Sequence, residues 1–471
     1  MITTELPKEM SELYKKAQEL IDKSRTIKIY THIDCDGISA GAILSTLLDR
    51  LNKPHEIEFV NLDVLDNVKL EHDLTIFSDL GSGQPVDKYA TPDTNILVLD
   101  HHPPLRNLNY GDDKLYDYIE INPLHHGIEG SYYVCGGGLC YFLAKEYGYK
   151  DLSWIGVLSA IGDMQNSRTG KLEGLNKSIL QDAIDEGYVK LIENDINLYG
   201  RKTRPVFVAL SYFSDVNLPL TNNQNETLAV LDSIGVKNKD KPLSLLTHDE
   251  KGKIFNKLVE MLSKALPPNY VQYIPKLLIG DSYDFTHEDS ASFLSDASEF
   301  SSSVNACGRN KEENVALGIL KGDRGETLDL LEAVSKEHKI NLAKAIEKIG
   351  ENGNIIELDN LQYFDGGDIK PEIVGTVAGM VLGYCNWKKP IIGFTKTDDN
   401  NLKISLRCSK LLAYAGIHFG NIIREVAQEL GGTGGGHTVA CGAYISADKK
   451  EEFIQNFNER IDGFIDEINL I

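Results

Sequence analysis

Apolar positions along this chain follow two alternating rhythms. The run TIKIY (26–30) is β-branched and aromatic, and it reads as a strand that ends on the polar residues THIDCDG. ISAGAILSTLLDRL (38–51) then carries apolar residues at helical spacing. The unit recurs. EIEFVNL (56–62), DLTIFSDLGSG (73–83) and TNILVLDHHPP (94–104) are further strand-like runs, the last two ending in acidic or histidine residues. GGGLCYFLAKEYGY (136–149) reads as a glycine-rich turn into a helix, and LSWIGVLSAIGDM (152–164) is apolar until Asp163. Alternating strands and helices predict a parallel α/β sheet, whose sites gather where the carboxyl ends of strands adjoin. Residues 5–25 predict an amphipathic helix before the first strand. Residues 171–290 are rich in helix formers with little strand pattern, and 325–351 predict a long charged helix. From about 355, short strands return (NIIELDNL, PIIGFTKT, LKISLRCS, HTVACGAYIS), predicting a second, smaller α/β domain.

With 471 residues, 42% hydrophobic and 25% charged, the composition is that of a globular protein of two or three domains. No apolar run reaches the roughly 18 residues of a spanning helix. The polar start MITTELPKEM is unlike a signal peptide, so a cytoplasmic location and no membrane partner are expected. Seven scattered Cys (35, 135, 140, 307, 385, 408, 441), with no C-x-x-C pair, suggest reduced buried thiols. A formal net charge of −22 argues against broad, charge-driven coating of nucleic acid, though not against a narrow groove with positive walls.

Candidate chemistry lies at the predicted element ends. His32, Asp34 and Asp36 alternate along an extended segment and so share one side. Asp79 follows TIFS, Asp100-His101-His102 follow ILVL, and Asp163 follows VLSAIG, a run also read as a strand. Each signal alone is common. Together they bring carboxylates and imidazoles from four predicted strand ends to one place. Oxygen-rich sites with some imidazole favour Mn²⁺ or Mg²⁺ over zinc. A set this large suits two ions about 4 Å apart, bridged by a carboxylate and acting on a phosphate. His125 and His126 lie in a loop segment and are not counted as ligands.

In this order, THIDCDG (31–37), SDLGSG (78–83), LDHHPP (99–104) and SAIGDM (159–164) resemble the four successive motifs of the DHH phosphoesterases, and Asp100-His101-His102 resembles the signature that names them. GGTGGGHTVACGAYI (431–445) resembles the glycine-rich signature of the DHH-associated domain. LNKSIL (175–180), INLYGRKTRPVFVALSYFSD (196–215) and DASEFSSSVNACGRN (296–310) are similar to segments of the archaeal RecJ-like exonucleases, which include the GINS-associated nuclease. The resemblance implies a DHH catalytic domain over 1–170, a mostly helical insert over 171–290, a connecting region over 291–350 that completes the catalytic part, and a substrate-binding DHH-associated domain over 351–471.

The resemblance also implies site roles. Asp34 and Asp79 hold one Mn²⁺ (or Mg²⁺), and Asp36, Asp79, His101 and Asp163 hold the other, with Asp79 bridging. In other branches the histidine corresponding to His32 lies further upstream, where this chain has Tyr30, so His32 is left open between direct ligand and orienting group. His101, His102, Asp36 and Asp163 are the expected catalytic residues, with Asp100 and His102 orienting or touching phosphate. Arg407 with Ser405, Arg309, the glycines Gly434, Gly435 and Gly436, and His437 are the expected substrate contacts. Arg201 and Arg204 are a weaker basic pair. The implied activity is 5′-to-3′ hydrolysis of single-stranded DNA to 5′-mononucleotides, in replication or repair, with GINS and the replicative helicase as expected partners. Two alternatives stand beside it: a 3′-to-5′ exonuclease on RNA or short oligonucleotides, and a non-catalytic scaffold of the helicase.

Overall fold

A computed structural model describes residues 3–463 except 62–64, 66, 67, 69, 92, 93, 108–117, 352 and 398–400. The chain forms two compact units. The first takes in Met1–Asp195 and Asp281–Lys336, the second Ile196–Gly280 and Glu337–Ile471.

The first unit is built on β1 (Ile27–His32), β2 (His55–Val60), β3 (Leu74–Ser78), β4 (Asn95–Leu99) and β5 (Tyr118–Ile121). They lie in the order β2-β1-β3-β4-β5 and every pair is parallel. After β1 the chain goes to one side for β2 and to the other for β3, so the sheet's switch point falls between β1 and β3, where ligand crevices open in such folds. β3 is buried at every residue and β4 at all but its first, as expected for strands covered on both faces.

Helices Lys8–Lys23, Cys35–Arg50, Gly136–Glu146, Ser153–Gly162, Leu175–Asp185 and Ala297–Arg309 contribute most of the rest of this core. Phe300, fully buried on the last of them, meets Phe285 edge-on with ring centroids 6.0 Å apart and stacks on Trp154 at 6.2 Å. Phe300→Ala is expected to cost about 3–5 kcal/mol. Urea unfolding followed by circular dichroism checks this, and a loss below about 1 kcal/mol would contradict the packing described.

The structure departs from the sequence reading in several places. VLSAIG, read as a strand, lies within the helix Ser153–Gly162, and Asp163 is its C-cap. Eight of that helix's ten residues are buried, so no polar face marks a helical period in the sequence. Residues 171–195, expected in the helical insert, belong to the first unit, because Leu175, Ile179, Leu180 and Ala183 pack into its core. The insert's borders also carry two strands, β6 (Val189–Ile196) and β7 (Ile279–Phe285), which pair with each other.

The second unit has a six-stranded sheet: β8 (Ile356–Glu357), β9 (Gln362–Asp365), β10 (Ile391–Lys396), β11 (Asn401–Arg407), β12 (Thr433–Gly436) and β13 (Ala440–Ser446), in the order β12-β13-β11-β10-β9-β8. Only β9 and β10 pair in parallel. Its core joins apolar residues of the insert, such as Leu210, Leu231 and Leu258, with Ile404, Phe419 and Phe457 of the C-terminal part. Within the glycine-rich segment 431–436, Thr433–Gly436 form the edge strand β12. All seven cysteines are buried and free. Among the described residues, no helix is long and apolar enough to cross a membrane.

Candidate metal centre

β1, β3 and β4 end side by side, and their next residues build the site. Asp34 caps the helix Cys35–Arg50, its Oδ1 accepting from the Gly37 amide at 3.1 Å. Its Oδ2 lies 3.1 Å from His32 Nδ1, which is also 3.6 Å from Asp79 Oδ2. The other oxygen of Asp79 points elsewhere. Oδ1 is 3.2 Å from His101 Nε2, which stands 3.4 Å from Asp36 Oδ2 and 3.8 Å from Asp163 Oδ2. Two ligand sets result, His32-Asp34-Asp79 and Asp36-His101-Asp163, each with its ligand atoms within 4.8 Å of one another; a third such set is Asp79-His101-His102. Asp79 has one oxygen turned to each side, as a bridging carboxylate does. It holds that position at φ +59°, a left-handed conformation that Asp tolerates better than most residues.

Each imidazole is oriented from behind. His101 Nδ1 donates to the Gly130 carbonyl at 2.9 Å, so its Nε2 lone pair faces the carboxylates. Buried Asp100 accepts from the Ser82 amide, from the His102 amide and from His102 Nδ1 at 2.8 Å, leaving His102 Nε2 on its outer side. The His102 side chain is 46% exposed, which suits contact with an incoming group. Burial and the neighbouring His101 lower the pKa of His102, but the Asp100 and Asp79 carboxylates together outweigh them and the net shift is upward.

Asp36 is pinned most firmly. Its two oxygens accept from the Gly136 and Gly137 amides, each at 2.7 Å, at the amino end of the helix Gly136–Glu146, and Oδ1 also accepts from the Ser159 hydroxyl. Burial, with Asp79 and Asp163 alongside, pushes the Asp36 carboxyl well above the usual carboxylate range. Gathering these acids and histidines in a buried place is unfavourable unless a cation offsets their repulsion. The donor set fits one. His32 Nδ1, Asp79 Oδ1 and His101 Nε2 are buried without a hydrogen-bond partner, and all three converge on the two ligand sets.

Sequence reasoning overlooked Gln165, which is 1% exposed. Its Nε2 donates to Asp163 Oδ2 at 2.7 Å and to the Gly130 carbonyl at 2.8 Å, while its Oε1 accepts from Asn176. One amide thus braces Asp163 and the carbonyl that orients His101. Gln165→Leu is expected to weaken Mn²⁺ binding about 10- to 100-fold. Isothermal titration with Mn²⁺ measures it, and an unchanged affinity would remove Gln165 from the site. Gly136, Gly137 and Ser159 were also unassigned. The GGG run pointed only to a turn, because its partner Asp36 is distant in sequence.

Of the remaining candidates, Arg309 ends the helix Ala297–Arg309, beside Gly308, where a Cβ would stand 1.7 Å from the Ile33 carbonyl oxygen. From the same helix, Asn305 accepts from the Cys35 amide at 3.0 Å, so it abuts the His32–Asp36 turn. His125 pairs with buried Glu120 and belongs to none of the ligand sets. Arg407, Ser405, Gly434, Gly435, Gly436 and His437 lie in the second unit, on or beside its sheet. There Arg201 is buried, and Arg204 lies between the rings of Tyr199 and Tyr212.

Comparison with known proteins matches residues 358–463 to the DHHA1 domain and residues 198–274 to the DHH-CID domain. Uncharacterized protein MJ0831 of Methanocaldococcus jannaschii is 31% identical over 462 residues, 96% of this chain and 98% of that protein. Among solved structures, RecJ of Thermus thermophilus in complex with Mn²⁺ is similar with a TM-score of 0.58 at 14% identity, over 98% of this chain and 55% of that one. This chain therefore spans about half the length of that RecJ. CDC45 of Entamoeba histolytica is similar with a TM-score of 0.61 at 14% identity, over 96% and 98% of the two chains.

Proposed function

The chain belongs to the DHH family as a RecJ-like member, and from that premise we propose that it is a divalent-metal-dependent phosphodiesterase acting on single-stranded nucleic acid. The observation that carries this reading is the two ligand sets, His32-Asp34-Asp79 and Asp36-His101-Asp163, with Asp79 turning Oδ2 toward His32 and Oδ1 toward His101 of the other set. His32, Asp34 and Asp79 would hold one ion, and Asp36, His101, Asp163 and Asp79 the second, with Mn²⁺ or Mg²⁺ suited to these oxygen-rich sets. Bound there, the ions supply Lewis acidity to the phosphoryl group and to an attacking water. The chain's own residues do the rest. Asp36 is held rigid by two amides and Ser159. His102, oriented by Asp100, presents Nε2 to a phosphate oxygen. Arg407 and Ser405 offer the substrate a guanidinium fork and a hydroxyl.

The finer reading is a 5′-to-3′ exonuclease on single-stranded DNA that releases 5′-mononucleotides. It is supported by the likeness of segments 175–180, 196–215 and 296–310 to archaeal RecJ-like exonucleases. A replication setting, with GINS and the replicative helicase as partners, draws on the same likeness and on the similarity in fold to CDC45. Mn²⁺ with 5′- or 3′-labelled DNA and RNA oligomers tests it, with wild type and Asp163→Ala run together. The expected result is stepwise loss of mononucleotides from the 5′ end of DNA by wild type alone. Products from only the 3′ end or only RNA would overturn polarity or substrate. The CDC45 likeness, which covers almost all of both chains, favours a second reading, a scaffold without catalysis. It requires that wild type hydrolyse nothing under these conditions.

A further inference from the structure

Behind His102 lies a buried polar network that contains none of the candidate metal ligands. It starts from Glu120 on the edge strand β5. Tyr118, Glu120 and the extended Asn122 just after the strand alternate along the chain and so share a face. Glu120 and Asn122 are both 0% exposed. A carboxylate in such a place is unfavourable unless its charge and lone pairs are matched. Glu120 Oε2 accepts from the Tyr118 hydroxyl at 2.6 Å and from Arg106 Nε at 3.0 Å, and Oε1 lies 3.3 Å from His125 Nε2. Burial pushes the Glu120 carboxyl up, but hydrogen bonds from His125, Tyr118 and Ser82 and the charge of Arg106 together hold it below its ordinary range. Glu120 is therefore an anion near neutral pH.

Two arms lead from Glu120 to the turn after β3. Arg106 is the first. Its Nη1 donates to the Gln84 carbonyl and to Asp87, each at 2.8 Å, and its Nη2 to the Gly81 and Ser82 carbonyls at 2.9 and 3.4 Å. With Nε on Glu120, all five of its N–H groups have acceptors, and the turn 81–84 is clamped. The second arm is the Ser82 hydroxyl, which accepts from Asn122 Nδ2 at 2.9 Å and donates its own proton to Glu120. Ser82 carries the constraint onward. Its amide donates to Asp100 Oδ2 at 2.8 Å, and Asp100 Oδ1 holds both the amide and the Nδ1 of His102. Asn122 closes the circuit by donating to the His102 carbonyl at 2.8 Å. An unbroken path thus joins Glu120 to the His102 imidazole through Ser82 and Asp100, both fully buried.

We infer that Glu120 is a positioning residue for His102: its anion fixes Ser82, and Ser82 fixes Asp100, so that the imidazole meets the substrate phosphate in one orientation. The inference rests on the phosphodiesterase reading for what His102 acts on. A Glu120 whose task was only to neutralise Arg106 fits less well. Arg106 already has Asp87 as a counter-ion, and that task has no use for the Ser82 hydroxyl. Packing alone would favour an apolar residue at this buried position.

The test uses the full chain with Mn²⁺ and a labelled oligomer, and compares wild type, Glu120→Gln, His102→Ala and the double variant. Glu120→Gln is expected to lower kcat about 10- to 100-fold with Mn²⁺ affinity unchanged. The double variant is expected to be no slower than His102→Ala, because residues that act as a unit are not additive. A merely structural Glu120 would lose the same factor in both backgrounds, and that result, or a wild-type kcat in Glu120→Gln, would overturn the inference. Ser82→Ala cuts the same path and provides an independent arm should Glu120→Gln misfold; thermal melts check folding. A second readout needs no turnover. In EDTA, with the 12 histidines isotope-labelled, the His102 ring resonance is assigned by its loss in His102→Ala. It is expected to move in Glu120→Gln and in Ser82→Ala, while that of His55 on β2 stays in place. An unmoved His102 resonance overturns the positioning role whatever the activity. A moved resonance in a protein that hydrolyses nothing removes the phosphodiesterase reading alone.

Discussion

Asp79→Asn is expected to lower Mn²⁺-dependent hydrolysis about 10³-fold, roughly 4 kcal/mol of transition-state stabilisation, and to reduce the number of Mn²⁺ ions bound. Both ligand sets depend on this carboxylate, through Oδ2 toward His32 and Oδ1 toward His101. Asparagine is the informative replacement. It tolerates the φ of +59° better than alanine does, so the turn after β3 persists while the charge and one acceptor are lost. Steady-state kcat on a labelled oligomer, together with Mn²⁺ stoichiometry from electron paramagnetic resonance, reads both effects. Activity within tenfold of wild type would show that the two sets are not bridged.

The second large effect comes from a residue with no side chain. A Cβ at Gly136 would stand 2.6 Å from Asp79 Cβ and 2.9 Å from both its Cα and its Oδ1. The obstacle is largely backbone and the root of a side chain, so it cannot swing aside. Gly136→Ala is expected to cost about 1–3 kcal/mol of stability through overpacking and to lower kcat about 100-fold or more, because a displacement near 1 Å misaligns the ligands. Full activity in a folded Gly136→Ala protein, measured beside its melting temperature, would refute the close approach. Alanine at Gly127, where nothing stands within 4 Å but φ is +69°, provides the control for backbone strain alone.

What the sequence disclosed, and what it hid, follows from distance along the chain. His32, Asp34 and Asp36 were legible because strand, turn and helix follow within a few residues. Asp79 and Asp100-His101-His102 were legible because β3 and β4 are short apolar runs with abrupt polar ends. Asp163 was picked out as a candidate but placed on the wrong element, since a helix buried all round has the same apolar composition as a buried strand. The residues that hold the ligands were hidden: Gly136 and Gly137 donate to Asp36 across about a hundred positions, and Ser159 reaches it from further still. Gln165 reads as an ordinary polar residue until the fold brings Gly130 to it. In the second unit, β12 has almost no side chains with which to announce a strand.

The chain crosses between its two units after Asp195, Gly280 and Lys336. Neither unit is a continuous piece of polypeptide, and this governs the order in which a growing chain can fold. When synthesis reaches Gly280, the first unit still lacks Phe300, Val304 and Ile319 of its core. The insert, already made, must wait longer, since Ile404, Phe419 and Phe457 of its shared core come last. Domains assembled from separated segments pay for long loop closures before their contacts form. A ribosome stalled near residue 350 would already have made every candidate metal ligand, while the apolar faces of the insert have no cover, a state in which chaperone capture is expected to be strongest.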